Sequence, residues 1–315
     1  MLNKIIILLV SLLNMSFCIS VPTIHSYLDL RYARTSQLYK GLGSFNIADI
    51  AIQTKVSLHK NYALYYENHI TSNLQAFEQL YIDIDTPIFP LNVKLGRFYT
   101  PFGTETNDQT NKNSISSSIL RDILWTNDYF LVPRAENGID IYYHNQGFAI
   151  DTYVINGGGQ LETVNNYYSR KSFGANMRFL LKDFLDVGFS LLYNDLSKPS
   201  YFGNNNQFII AENDYKFTLG DFSVKMAYLL ATGKLNGIVK DGNGYLLEPS
   251  WEIEKNLILD VNVSAFYSNG ISDFRRILAL NNWLNKDFSV KYEFFQERLN
   301  QTDNWGIQTQ LLLKI

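Results

Sequence analysis

The sequence predicts an all-β fold, a transmembrane antiparallel β-barrel of about sixteen strands with an inward-folded third long loop. Three observations predict it. Leu257, Leu259, Val261, Val263, Ala265 and Tyr267 fall on one parity of a single run while Asp260, Asn262 and Ser264 fall on the other, and this two-residue rhythm returns along the chain without a helix of core length. The connections alternate between short turns and longer polar loops. The mean hydropathy is slightly negative, yet the chain holds 21 tyrosines and 21 phenylalanines. Polar on average, aromatic-rich and apolar on alternate residues is the pattern of strands with one face to lipid and one to water.

The first element is a leader. Lys4 gives a positive start, Ile5 to Leu13 an apolar stretch, and Cys18 and Ser20 are small residues at minus three and minus one to a cut before Val21, so residues 1–20 read as a cleaved secretory signal peptide. The apolar stretch is shorter than the roughly 17–25 residues a spanning helix needs. Residues 21–315 then form a single barrel domain. Cys18, the only cysteine, leaves with the leader, so no disulfide can stabilise the remainder. Lys4 is the leader's only charged residue, which leaves 26 basic and 30 acidic side chains, a balance of −4.

Strands follow in order at 24–35, 46–58, 62–71, 78–86, 92–98, 137–143, 148–156, 170–181, 185–194, 208–218, 222–231, 245–253, 257–267, 274–283, 288–297 and 305–315. Sixteen is even, as closure of a bacterial single-chain barrel requires. Within 46–58, Ile50, Ile52, Thr54, Val56 and Leu58 alternate with Ala51, Gln53, Lys55 and Ser57; within 222–231, Phe222, Val224, Met226, Tyr228 and Leu230 form the apolar set. A soluble sandwich would show the same alternation. Sixteen strands of this length, with tyrosines at many strand ends, favour lipid on the apolar side.

Short turns fall at His59 to Asn61, Pro87 to Leu91, Asn145 to Gly147, Lys182-Asp183, Gly220-Asp221, Lys255-Asn256 and Asn285 to Asp287. Longer connections, rich in Asn, Gly and Ser, include Gly157 to Tyr168, Asp195 to Gln207 and Thr232 to Gly244. Outer-membrane barrels place turns in the periplasm and loops outside, which puts both termini in the periplasm. Strand 274–283 is ambiguous, because Arg275 and Arg276 put charge on both parities and a bulge there would shift the count. In the last strand Trp305, Ile307, Thr309, Leu311, Leu313 and Ile315 share one parity up to the final residue.

The connection 99–136 breaks the rhythm. It carries polar sequence at 104–118 and then Ser118 to Trp125, a short helical turn. A loop this long in a compact fold is functional or disordered. Folded inward, it would pack Leu120, Leu124 and Trp125 on the wall and narrow a sixteen-stranded lumen that is otherwise open.

Three stretches and the ending carry a resemblance. Lys94 to Gly103, then Pro133 to Ile141 and Tyr153 to Gly159, together with an ending that runs from Arg275-Arg276 through Asn281 to Leu284, Lys291 to Glu293 and Gln308 to Ile315, resembles the phosphate-selective O and P type outer-membrane porins. The last strand also resembles the signal read by the outer-membrane assembly machinery, except that Ile315 replaces a terminal aromatic. The resemblance implies passive diffusion of small hydrophilic solutes and ions through the outer membrane by a homotrimer embedded in lipid, with the third long loop as constriction. Phosphate selectivity does not carry over. On the parity opposite lipid, fourteen acids stand against seven bases, and among them Asp49, Lys55, Asp83, Asp85, Lys225, Asp260 and Lys291 are candidate lumen-wall residues. Carboxylate rings favour cations, so the wall predicts a weak cation preference. At the constriction the candidates are Arg121, Arg134, Glu105, Asp108, Lys112, Asp122 and Asp128, with Arg121 and Arg134 as an anion-facing pair or as partners of neighbouring acids.

Other classes are weaker. His25, His59, His69 and His144 come with no nucleophile elbow, HExxH helix, CxxC pair or phosphate-binding Gly loop, so neither an enzyme, a metal site nor a cofactor is expected. No basic stripe suggests nucleic acid. The alternatives are a substrate-specific channel of anion or phosphate type, and a non-conducting barrel serving as a surface or adhesion platform.

Overall fold

A computed structural model describes residues 20–35, 44–70, 75–86, 90–103, 118, 120–121, 132, 135–156, 171–181, 184–195, 207–235, 238–268, 270–299 and 301–314. The leader therefore lies outside the described residues, apart from Ser20, as do the loops 157–168 and 196–206. The strands are β1 (Thr23–Thr35), β2 (Ser44–His59), β3 (Tyr62–Ile70), β4 (Gln75–Asp85), β5 (Asn92–Tyr99), β6 (Ala135–His144), β7 (Phe148–Asn156), β8 (Lys171–Leu181), β9 (Leu185–Asp195), β10 (Gln207–Leu219), β11 (Phe222–Leu235), β12 (Ile238–Glu254), β13 (Leu257–Ser268), β14 (Ile271–Trp283), β15 (Phe288–Leu299) and β16 (Thr302–Lys314). All sixteen expected strands are present.

Each strand pairs antiparallel with its sequence neighbours, and β1 pairs with β16 from Tyr27↔Lys314 to Thr35↔Gly306, so the sheet closes. Burial then decides between lipid and a soluble core. On β13 the polar parity is hidden, with Asp260 at 0%, Asn262 at 1% and Ser264 at 1% exposure, while the apolar parity is bare, with Val263 at 43% and Tyr267 at 49%. A soluble sandwich would bury the opposite parity. Leu278, Phe294, Trp305 and Ile307 continue the bare apolar surface around the outside.

Tight hairpins set the turn end. Gly220 (φ 56) and Asn256 (φ 74) take the left-handed conformation that two-residue turns demand, which glycine and asparagine tolerate best. The wall is uneven: β3, β5 and β7 have 9, 8 and 9 residues, against 14 in β11 and 17 in β12.

One expectation changes and one ambiguity is resolved. The expected loop Thr232 to Gly244 is mostly sheet, because β11 runs on to Leu235 and β12 begins at Ile238. Gly233, Gly242 and Gly244 make this stretch read as a loop, but a Cβ on Gly244 would collide with the Leu120 side chain, so there the glycine serves a close approach inside the barrel. The ambiguity of strand 274–283 is resolved without a bulge, since the register of β14 runs unbroken against β13 and β15. Arg275 points inward to Glu297, whereas Arg276 lies outside over the Phe274 ring at 5.1 Å.

Gly174 shows how the wall seats bulky inward rings, because any Cβ there would overlap the buried Tyr153 ring. Gly174→Val should cost about 1–3 kcal/mol by overpacking. The folded, fast-migrating form should then convert on an unboiled detergent gel at a lower temperature than the parent.

Candidate functional site

The inside of the barrel is the candidate site. Its polar wall consists of charges that meet across strands. Lys94 Nζ lies 3.0 Å from Asp140 Oδ2, and Arg178 Nη2 bridges Asp186 Oδ2 at 2.7 Å and Asp214 Oδ1 at 3.0 Å. Arg275 Nη2 meets Glu297 Oε2 at 2.6 Å, and Asn304 donates to the other oxygen of Glu297 at 3.0 Å. The closure seam uses the same chemistry: Arg31 Nη2 and Gln310 Nε2 both donate to Asp29 Oδ2, at 2.6 and 2.7 Å.

A second zone of the wall is apolar. Ile155, Leu192, Phe208, Ile210, Leu229 and Phe266 point inward from the loop-end parts of β7 to β13 and are at most 1% exposed. Such a surface would be bare to water in an empty lumen. Leu120 and Val132 of the connection 99–136 belong to the same packed cluster, and Phe102 packs against it. At the start of the connection, Gly103 N–H donates to Ser190 Oγ at 2.9 Å, and a Cβ on Gly103 (φ +73) would strike the Glu212 carboxylate. The connection thus touches the inner wall at each of these described points. Leu120 and Arg121 are helical, as expected of the turn around Ser118.

The third feature ties five strands together. His69 places Nδ1 2.7 Å from Asp49 Oδ2 and Nε2 2.6 Å from Glu67 Oε1. Tyr27 O–H donates to Asp49 at 2.7 Å, and Tyr99 O–H and Gln79 Nε2 donate to Glu67, each at 2.6 Å. Gln79 also accepts the Tyr99 N–H at 3.2 Å. Tyr99 ends β5, so the network anchors the root of the long connection. The sequence names each member but gives no sign of the network, whose members sit up to 72 residues apart between Tyr27 and Tyr99. The one available signal is that Glu67 and His69 share a face of β3.

Of the expected wall residues, Asp49, Lys55, Asp83, Asp85, Lys225, Asp260 and Lys291 all lie on inward-facing positions of described strands. Asp83 accepts from Tyr142 O–H at 2.9 Å, Asp260 accepts from Ser250, and Lys55 lies over the Tyr65 ring at 5.0 Å. Lys291 is fully buried between β14 and β16. Of the constriction candidates, Arg121 is 3% exposed, with its N–H directed to Ser118 Oγ at 3.4 Å. Arg134, Glu105, Asp108, Lys112, Asp122 and Asp128 lie outside the described residues. Inward charges missed include Glu136 and Asp273, since the expected strands begin one residue beyond them, and Glu297, which the expected strand 288–297 contains on its inward parity.

No protein-family model matches the chain, and no curated protein does. Solved structures do. An anion-selective porin from Comamonas acidovorans superposes with a TM-score of 0.74 at 11% identity, covering 94% of this chain and 100% of that one. OmpT, an outer membrane protein of Vibrio cholerae, in its trimer form gives 0.65 at 10% identity over 94% and 99%. Salmonella typhi OmpF, described in complex with daunomycin, gives 0.65 at 10% identity over 93% and 97%. The class so defined is a porin-like, sixteen-stranded transmembrane β-barrel. The similarity is to bacterial porins generally, not to the phosphate-selective type in particular.

Removing the imidazole tests the network. His69→Ala leaves two buried carboxylates facing each other without a shared donor and should destabilise the barrel by about 3–5 kcal/mol, as when one partner of a buried ion pair is deleted. Denaturant unfolding of the detergent-folded protein measures it, and a loss under about 1 kcal/mol would mean the network is no brace.

Proposed function

We propose that the chain is an outer-membrane diffusion channel for small hydrophilic solutes and ions, acting without catalysis and exported by cleavage of the leader 1–20. One observation carries this reading: a closed barrel whose bare outer face is apolar and whose inward face is largely polar, with described points of the connection 99–136 touching that inner wall and covering its one apolar zone. An apolar exterior suits hydrocarbon, and a polar interior suits water. In this reading the connection narrows the lumen, with Arg121, Arg134, Glu105, Asp108, Lys112, Asp122 and Asp128 as constriction residues and the acid-rich wall around it. The finer phosphate-selective assignment rests on the Lys94 to Gly103 and Arg275 to Lys291 stretches alone, and the wall's charge argues against it.

Assembly as a homotrimer is supported by the uneven wall. A strand needs about 9–11 residues to cross the hydrocarbon, and β5 has 8. Asn68, Arg97 and Asn137 face outward on β3, β5 and β6. Polar groups and a low wall are poorly matched to lipid and better matched to a second copy of the chain. The trimer form described for the Vibrio cholerae neighbour agrees. The last strand, apolar outward from Trp305 to Leu313, suits recognition by the assembly machinery.

Planar-bilayer recording of the protein purified from outer membranes should show steps of stable conductance. A well-folded barrel without steps would instead support the plugged-platform reading. Gly244→Val should push Leu120 off the wall and change the unit conductance while the detergent-gel shift of the barrel is kept; an unaltered conductance would remove the connection from the pore. Crosslinking in membranes should give a trimer band, and Arg97→Glu on the low wall should weaken it.

A further inference from the structure

Arg276 stands on the lipid-facing side of the barrel. It points outward from β14, five residues from the loop-end residue Ile271 and seven from Trp283, with the exposed Val263 opposite on β13 and the exposed Leu278 two residues along its own strand. Its guanidinium lies 5.1 Å from the centre of the Phe274 ring, which is two residues nearer the loop end, so the side chain runs toward that end. Arg298 of β15, opposite Phe274, places its own guanidinium 5.6 Å from the same ring. Arg298 is held by Asp303 at 2.7 Å, whereas Arg276 meets no acid among the described residues. Gln296, opposite Arg276 on β15, is exposed as well. An outward arginine at this depth is costly unless a polar or anionic group reaches it.

Beside this patch the outer face is grooved. Val263, the register partner of Arg276, lines an apolar groove of ≈ 580 Å³ with Met226, Tyr228, Tyr245, Leu247 and Ala265. Ala265 makes the hollow, because it is the small residue between Tyr245 on β12 and Phe274 on β14. A second groove, of ≈ 870 Å³, opens nearer the loop end, where Leu230 and Tyr267 are joined by Thr232, Asp241, Asn243 and Ser272. It therefore offers hydroxyl, amide and carboxylate groups where the lower groove is apolar.

We propose that the outer face of β10 to β15 binds a phosphorylated glycolipid of the outer leaflet. Its phosphate sits on Arg276 and Arg298, its sugar head in the loop-end groove and one acyl chain in the apolar groove below. The order of these three surfaces along the strands is the order of a lipid whose head lies at the loop end. A phosphate supplies the anion that Arg276 lacks, and guanidinium and phosphate match as a bidentate pair. Asp241, the acid of the loop-end groove, lies two strands from Arg276 and accepts from Thr232 at 2.5 Å, where it suits sugar hydroxyls and not the phosphate. The site is on the outside of the barrel, so it stands whether or not the lumen conducts.

The test is native mass spectrometry of the protein purified from outer membranes, freed of lipid by detergent exchange and titrated with lipid A as the probe. Arg276→Gln/Arg298→Gln alters outward side chains only and should keep the detergent-gel shift. It should weaken lipid A binding by about fivefold for each arginine removed. Lipid A stripped of its phosphates should bind the parent protein with a comparable loss, an arm that needs no variant to fold. Ala265→Trp should fill the apolar groove and weaken binding while the gel shift is kept. Inorganic phosphate in large excess should not displace the lipid, because it brings no chain to the groove. Equal affinity of the parent and the arginine variant, or of whole and phosphate-stripped lipid, overturns the site. Displacement by inorganic phosphate, or an unchanged affinity in Ala265→Trp, does the same. Loss of the crosslinked trimer band in the arginine variant, with lipid A affinity kept, would give this face to a second copy of the chain instead.

Discussion

Everything in this molecule depends on the pairing of its first strand with its last. In hydrocarbon no water is available to satisfy a backbone N–H or C=O, so a sheet with an open edge would leave a row of unpaired groups at several kcal/mol each. The β1–β16 ladder from Tyr27↔Lys314 to Thr35↔Gly306 removes the edge. The seam is secured by inward side chains as well as backbone, since Gln310 of β16 and Arg31 of β1 meet on Asp29. Tyr27, Ala51 and Leu312 pack together beside it. Once closed, the sheet has an inside and an outside, and the alternation of side chains distributes all other properties between them.

Closure makes the interior a solvent compartment, and the chain fills part of it from its own sequence. The apolar zone lined by Phe208, Ile210, Leu229 and Phe266 would be unfavourable against water. Leu120 and Val132 cover it. The fit depends on missing side chains: Gly244 makes room for Leu120, while Gly103, in the left-handed region, brings the chain against Glu212 and Ser190. The connection is thus held by hydrophobic burial in one region and by hydrogen bonds to the polar wall in another. The His69 network secures its root at Tyr99.

The sixteen strands were legible because period-two patterning acts locally and each strand carries its own copy of it. Boundaries were hardest where inward and outward faces are both apolar or both small. Phe208 to Ala211 is apolar on both parities, and that double apolarity is the signal for a docking zone inside a barrel, available in the sequence once lipid is assigned to one face. Gly242 and Gly244 disguised the extension of β12, because a glycine required for close packing looks the same in a sequence as one required for a turn. The wall charges were legible from parity alone. The partners of those charges were not: Tyr27, Asp49, His69, Glu67 and Tyr99 meet through the registers of four strand pairs, and three of those pairs carry register shifts, between Asp29 and Leu30, between Ser57 and His59, and between Glu67 and Asn68. A single bulge reverses which residues face inward, so nothing short of the register decides the contacts.

The acids of the inner wall are held in two ways. Near the turn end, acids are matched by cations: Asp140 by Lys94, and Asp186 and Asp214 by Arg178. Near the loop end, several acids are held by neutral donors. Glu136 Oε1 accepts the Asn137 N–H at 2.8 Å, Glu248 Oε2 accepts Asn262 Nδ2 at 2.8 Å, and Tyr99 and Gln79 both donate to Glu67. A neutral donor offsets part of the desolvation cost of a half-buried carboxylate without cancelling its charge, whereas an arginine does both. A wall could hold its acids equally firmly with either kind of partner. Hydrogen bonds from neutral donors and ion pairs across strands together keep the half-buried carboxylates of the wall ordered along the height of the barrel.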